Sequence, residues 1–134
     1  MIIPFLNFNG KASEVIAFYE TVFDVQNKQV FYFKDMPASE NFTVTPEIEN
    51  YVLHSEMTIE GVPVWIGDTP EGELAAGEML SLTAVYDSPE KVKEVFGKLS
   101  VDGEVFCDAQ PTFYSPMYGM VKDRFGIVWS VMSR

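Results

Sequence analysis

The chain is poor in the residues from which most catalytic and metal sites are built. Its 134 residues include one His, His54, and one Cys, Cys107. A single His excludes any site that draws two or three imidazoles from one chain. A single Cys excludes an internal disulfide and fits a reducing, cytoplasmic compartment. Cys107 has no His, Lys or Arg beside it in sequence to activate the thiol, so it reads as a small buried residue, not a nucleophile. Basic residues are also scarce: 9 Lys and Arg stand against 20 Asp and Glu, a formal charge of −11. That balance argues against nucleic acid, whose affinity comes from neutralised phosphates, and against an anionic membrane surface. No apolar run approaches the roughly 18 residues of a membrane span. The opening MIIPFLNFNG lacks the basic n-region of a signal peptide. The glycines are scattered, with no GxGxxG, GK[ST] or GxSxG pattern, so neither a phosphate-cradling loop nor a nucleophile elbow is expected.

Aromatic residues, by contrast, are abundant at 14%, enough to fill a core or line an apolar pocket. The length fits one domain, at about 100–200 residues each. Alternation and turn residues predict a strand over 2–8, a helix over 12–23, and strands over 30–33, 51–59 and 62–67. A surface loop is expected over 35–48 and a Glu60-Gly61 turn inside a hairpin. A turn-rich stretch follows at 69–78. The pattern then restarts with a strand over 79–86, a helix opened by Ser88-Pro89-Glu90, and strands over 104–109, 118–122 and 127–132.

The two halves match. The helical stripe Val15, Phe18, Tyr19 and Val22 recurs 77 residues later as Val92, Val95, Phe96 and Leu99. The same offset carries Ile3, Phe5 and Phe8 onto Leu80, Leu82 and Val85, and a shorter one, 64, carries Trp65 onto Trp129. The expected fold is α+β: one domain of two βαβββ repeats (residues 1–68 and 79–134, joined by 69–78), forming curved mixed sheets with one helix per half.

Specific segments carry a family likeness. They are Pro4 to Gly10, Phe18-Tyr19 with Phe23, His54-Ser55-Glu56, Asp68, Gln110 to Tyr114, Tyr118-Gly119, and Asp123 to Trp129. In order and spacing the chain resembles the vicinal oxygen chelate superfamily, the glyoxalase and bleomycin-resistance fold, in its PhnB-like branch. The resemblance implies a homodimer. In metal-dependent members it implies His, Glu or Gln ligands at positions that fall here near Ile3, around Trp65–Gly67, near Ser81 and near Ser130. None of those strand positions offers a His or Glu, so no metal and no cofactor are expected.

Several residues remain as candidates for chemistry. His54 and Glu56 stand two apart on a strand and share a face, which suits an oriented base, a pair of ligands or a structural hydrogen bond. Asp68 is a conceivable third ligand or a strand exit. Asp123 reads as a carboxylate at a cleft mouth or as the Asx turn of Asp123–Gly126. Gln110 to Gly119 holds Phe113, Tyr114 and Tyr118, either a pocket wall or a dimer surface. Trp65 and Trp129, taken as equivalent, suit core packing or ligand stacking, and Asn7 must find a partner or face the cleft. The leading expectation is a small organic ligand held by Asn7, His54, Trp65, Gln110, Phe113, Tyr114, Tyr118 and Trp129. The alternatives are an enzyme using His54, Glu56 or Asp123, and a ligand-free homodimer.

Overall fold

A computed structural model describes residues 1–37 and 42–134. The chain forms two compact units, Met1–Leu74 and Ala75–Arg134. Each contains one helix and one four-stranded mixed sheet, as the α+β repeat predicts.

In the first unit β1 (Phe5–Phe8) leads into α1 (Ala12–Val22), followed by β2 (Val25–Tyr32), β3 (Val52–Ile59) and β4 (Val62–Asp68). The sheet order is β1-β4-β3-β2, with β1 parallel to β4 and the other pairs antiparallel. The helix buries Ala12, Val15, Ile16, Tyr19 and Val22, one stripe at helical spacing, while Phe18 stays half-buried. Glu60 and Gly61 both take positive φ, the geometry of a type I′ turn, which joins β3 to β4 in the matching right-handed twist.

β2 begins five residues earlier than the sequence pattern indicates. Its first part, Val25 to Gln29, is mostly polar because an edge strand exposes both faces, and Asn27 sits at φ 55 within a bulge opposite β3. Part of the loop expected over 35–48, residues 38–41, lies outside the described residues. Of the remainder, a 3-10 turn occupies Phe33–Asp35, and a turn at 46–50 is closed by the Ile48 carbonyl accepting from the Tyr51 N–H.

The second unit repeats the plan with β5 (Leu82–Tyr86), α2 (Pro89–Leu99), β6 (Glu104–Gln110), β7 (Tyr118–Lys122) and β8 (Val128–Ser133), in the order β5-β8-β7-β6. α2 starts as its residues dictate: the Ser88 hydroxyl accepts from the Lys91 N–H at 3.2 Å, and Pro89 occupies the first turn. Val92, Val95, Phe96 and Leu99 are buried. Met79 to Ser81, expected in the strand, precede it, and Met79 and Leu80 are exposed.

The helices correspond residue for residue at the offset of 77, but the strands before them do not. β1 reaches α1 through Asn9–Lys11, whereas β5 reaches α2 through Asp87–Ser88 alone. That one-residue difference moves the strand offset to 78 and reverses which side chains face the helix. In the first unit Leu6, Phe8, Val64 and Ile66 are buried beneath α1, and Trp65 points to the opposite, open face. In the second unit Gly119 meets the Phe96 ring of α2, and Val131, its partner in register, shares that face. Trp129, two residues before Val131, therefore also faces the helix. The equivalence of Trp65 and Trp129 is thus corrected: by register Trp65 corresponds to Ser130, and Trp129 to Val64.

Candidate functional site

The candidate residues fall into separate groups, the first on the open face of the first sheet. β1, β3 and β4 bring Phe5, His54 and Trp65 together there. The Phe5 and His54 rings stack at 6.0 Å between centroids and 18° between planes. Trp65 meets His54 edge-on at 4.9 Å and 85°. Nε2 of His54 lies 3.2 Å from Oε2 of Glu56, the contact expected of residues two apart on a strand. Phe31 of β2 is opposite His54 in register. The face is half-open: Phe5 and Phe31 are each 45% exposed. Gly67 makes room for this packing, since a Cβ there would lie 3.2 Å from the Phe5 ring. Asn7 is exposed, and its side-chain oxygen accepts from the Thr69 hydroxyl at 3.1 Å. Phe5 and Phe31 are members of this group that sequence reasoning missed. Strand alternation places Phe5 beside Asn7, but pairing of β2 with β3 is needed to place Phe31.

The second group follows β6. Phe113 packs edge-on against Tyr114 at 5.0 Å, and Tyr114 against Tyr118 at 5.6 Å. The Tyr118 hydroxyl is 3.1 Å from that of Ser130. The Thr112 hydroxyl accepts from the N–H groups of Tyr114 and Ser115, folding the segment into a turn that leaves Phe113 fully exposed. The Gln110 amide reaches Cys107 Sγ at 3.6 Å, and Cys107, expected to be buried, is only partly so on β6.

The remaining candidates are tied into the framework. Asp68 is buried, with Oδ1 accepting from the N–H of Gly10 and Ala12 and Oδ2 from that of Val52, at 2.8–3.1 Å. Asp123 is buried likewise: Oδ1 accepts from the N–H of Phe125 and Ile127, and Oδ2 from the indole N–H of Trp129 at 3.0 Å. Gly126, at φ +92, closes that turn. These charge-assisted bonds occupy both carboxylates with backbone and core, and they place Trp129 in the core beside Asp123. A separate cavity of about 410 Å³ lies elsewhere in the first unit, lined by Lys34, Met36, Phe42 and Glu49 among others.

A family described as 3-demethylubiquinone-9 3-methyltransferase matches residues 1–132. The chain belongs to that family. It is PhnB-like, and its fold is that of the glyoxalase and bleomycin-resistance proteins. Protein YjdN of Escherichia coli (strain K12) is 28% identical over 137 residues, which span 96% of this chain and 91% of YjdN. A PhnB protein from Bacillus cereus is 25% identical, with a TM-score of 0.79 over 99% of this chain and 98% of that one. A glyoxylase/bleomycin resistance protein/dioxygenase domain from Frankia sp. EAN1pec shares the fold at 10% identity and a TM-score of 0.69, covering 99% of this chain and 95% of its own.

The metal-dependent members of the superfamily set a test for this PhnB-like chain. Ile3 and Ser81 precede their strands. On the open faces the parallel strand pairs present Phe5, Asn7, Trp65 and Gly67 in the first unit, and Thr83, Val85, Ser130 and Met132 in the second. None is a His or a carboxylate, and among the described residues no three His, Cys, Asp or Glu side chains converge. A divalent ion takes three or four strong donors, which these positions do not supply.

Proposed function

We propose that this PhnB-like protein binds a small organic molecule on the aromatic open face of its first sheet, without the superfamily's usual metal ligands. The observation that carries this reading is the packing of His54 against both Phe5 and Trp65, with Glu56 at 3.2 Å, on a face left half-open. Burying such rings beneath a core would stabilise the fold, whereas leaving them half-open gives a flat ligand a surface on which to stack. Asn7 at the rim offers its amide N–H groups. Gln110, Phe113, Tyr114 and Tyr118 form a second aromatic surface in the other unit.

The test is a titration of the protein with bicyclic aromatic compounds, followed by the NMR signals of His54 and the Trp65 indole. The reading expects these signals to move before those of the core Trp129, and Trp65→Ala to weaken binding at least tenfold. A broad panel that moves neither signal overturns it.

A second reading makes His54 a general base oriented by Glu56, and it rests on the same 3.2 Å contact. The family description names a methyl transfer, a reaction in which an acceptor hydroxyl must lose its proton. In a turnover assay on a phenolic acceptor with a methyl donor, His54→Ala should lower kcat by about 10²-fold or more. An unchanged rate removes His54 as the base.

A further inference from the structure

Among the described residues, the open face of the first sheet carries a carboxylate and no Lys or Arg. Register places Phe5, Trp65, His54, Glu56, Gln29 and Phe31 on it, and Glu56 is the one acidic member. The neighbouring cations are directed elsewhere. Lys28 is paired with Glu20 of α1 at 3.0 Å. Lys34 bonds the Asn50 side chain and lies over the Tyr32 ring. The Glu56 contact with His54 uses Oε2, while Oε1 has no hydrogen-bond partner among the described residues.

Taking the binding reading above as its basis, we infer that this face selects flat organic cations over neutral or anionic molecules of the same shape. Three features act in the same direction. The faces of Trp and Phe rings carry negative potential, which attracts a cation placed over them. The free oxygen of Glu56 accepts a charge-assisted hydrogen bond from a ligand N–H, or faces a ring charge directly. An anion would meet Glu56 with no Lys or Arg among the described residues of that face to answer it, after approaching a chain of formal charge −11. A neutral bicycle gains the stacking alone.

The experiment compares three probes of nearly equal size on the full chain: N-methylquinolinium, quinoline at pH 8 where it is uncharged, and 2-naphthoate. Affinities come from calorimetry, with the His54 and Trp65 NMR signals reporting the site. N-methylquinolinium should bind about tenfold tighter than quinoline, and 2-naphthoate more weakly than either. Glu56→Gln should bring N-methylquinolinium down to the affinity of quinoline while leaving quinoline unchanged, and Trp65→Ala should weaken both. Glu56 is partly exposed and Gln keeps its shape, so the Gln variant is expected to fold, which far-UV circular dichroism checks. Equal binding of quinoline and N-methylquinolinium, with no effect of Glu56→Gln, overturns the preference for cations and leaves the binding reading standing. Silence from all three probes at His54 and Trp65 overturns both.

Discussion

The two halves share a strand order, a helix of eleven residues and one parallel strand pair, yet they use their faces differently. The first half turns Trp65, His54 and Glu56 outward on its open face. By register the second half has Ser130, Tyr118 and Met120 in those places, and its tryptophan lies under the helix. Each half also holds a buried aspartate that accepts three N–H groups. Asp68 gathers three segments far apart in sequence, whereas Asp123 fastens its own turn and one nearby indole. A repeated backbone thus conserves burial pattern and topology, while a single residue in a connection decides which side chains are offered to solvent.

The largest expected effect separates the two aspartates. Asp68→Ala leaves three N–H groups without their acceptor, two of them in buried bonds, and should cost about 3–5 kcal/mol in urea unfolding. Asp123→Ala should cost less, about 2–3 kcal/mol, because the donors of its turn are only part-buried and water can reach them. Equal losses would erase the distinction between a long-range tie and a local one.

The tryptophans come next. Trp129→Phe removes the donor to a buried carboxylate and should cost about 2–3 kcal/mol, whereas Trp65→Phe on the open face should cost under about 1 kcal/mol. A reversed ranking would put the two rings back on equivalent faces.

Glycines of the second half supply the smaller effects. A Cβ at Gly119 would lie 2.7 Å from the Phe96 ring, so Gly119→Ala should destabilise by about 1–3 kcal/mol as α2 is pushed from the sheet. Gly97 lies within α2 with open space around it, and Gly97→Ala should stabilise by about 0.5–1 kcal/mol. Thermal unfolding of the two variants reads both signs.

The elements were legible wherever local chemistry decides them. The Ser88-Pro89 helix start, the Glu60-Gly61 hairpin and both helical stripes follow from capping, turn geometry and periodicity. The polar first half of β2 was not legible, because an edge strand needs no alternation, and neither was the short start of β5. The phase of the second half escaped because a four-residue apolar match cannot register one residue missing from a connection. For the site, the strand spacing of His54 and Glu56 foretold their contact, and Trp65 was singled out without its neighbours. Asp68 and Asp123 look alike as exits from strands, and only their distant partners reveal how they are bound into the framework.

The reach of Asp68 also shapes the order in which the first half is assembled. Its bonds to Gly10 and Ala12 span 58 and 56 residues, whereas those of Asp123 span 2 to 6. Closing the longer loop carries the greater chain-entropy cost, and contacts of high sequence separation form slowly. The β7–β8 hairpin of the second half is therefore free to nucleate on its own, whereas the start of α1 cannot be locked until β4 has arrived. In pulsed amide-exchange refolding, the N–H groups of Phe125 and Ile127 should be protected before those of Gly10 and Ala12.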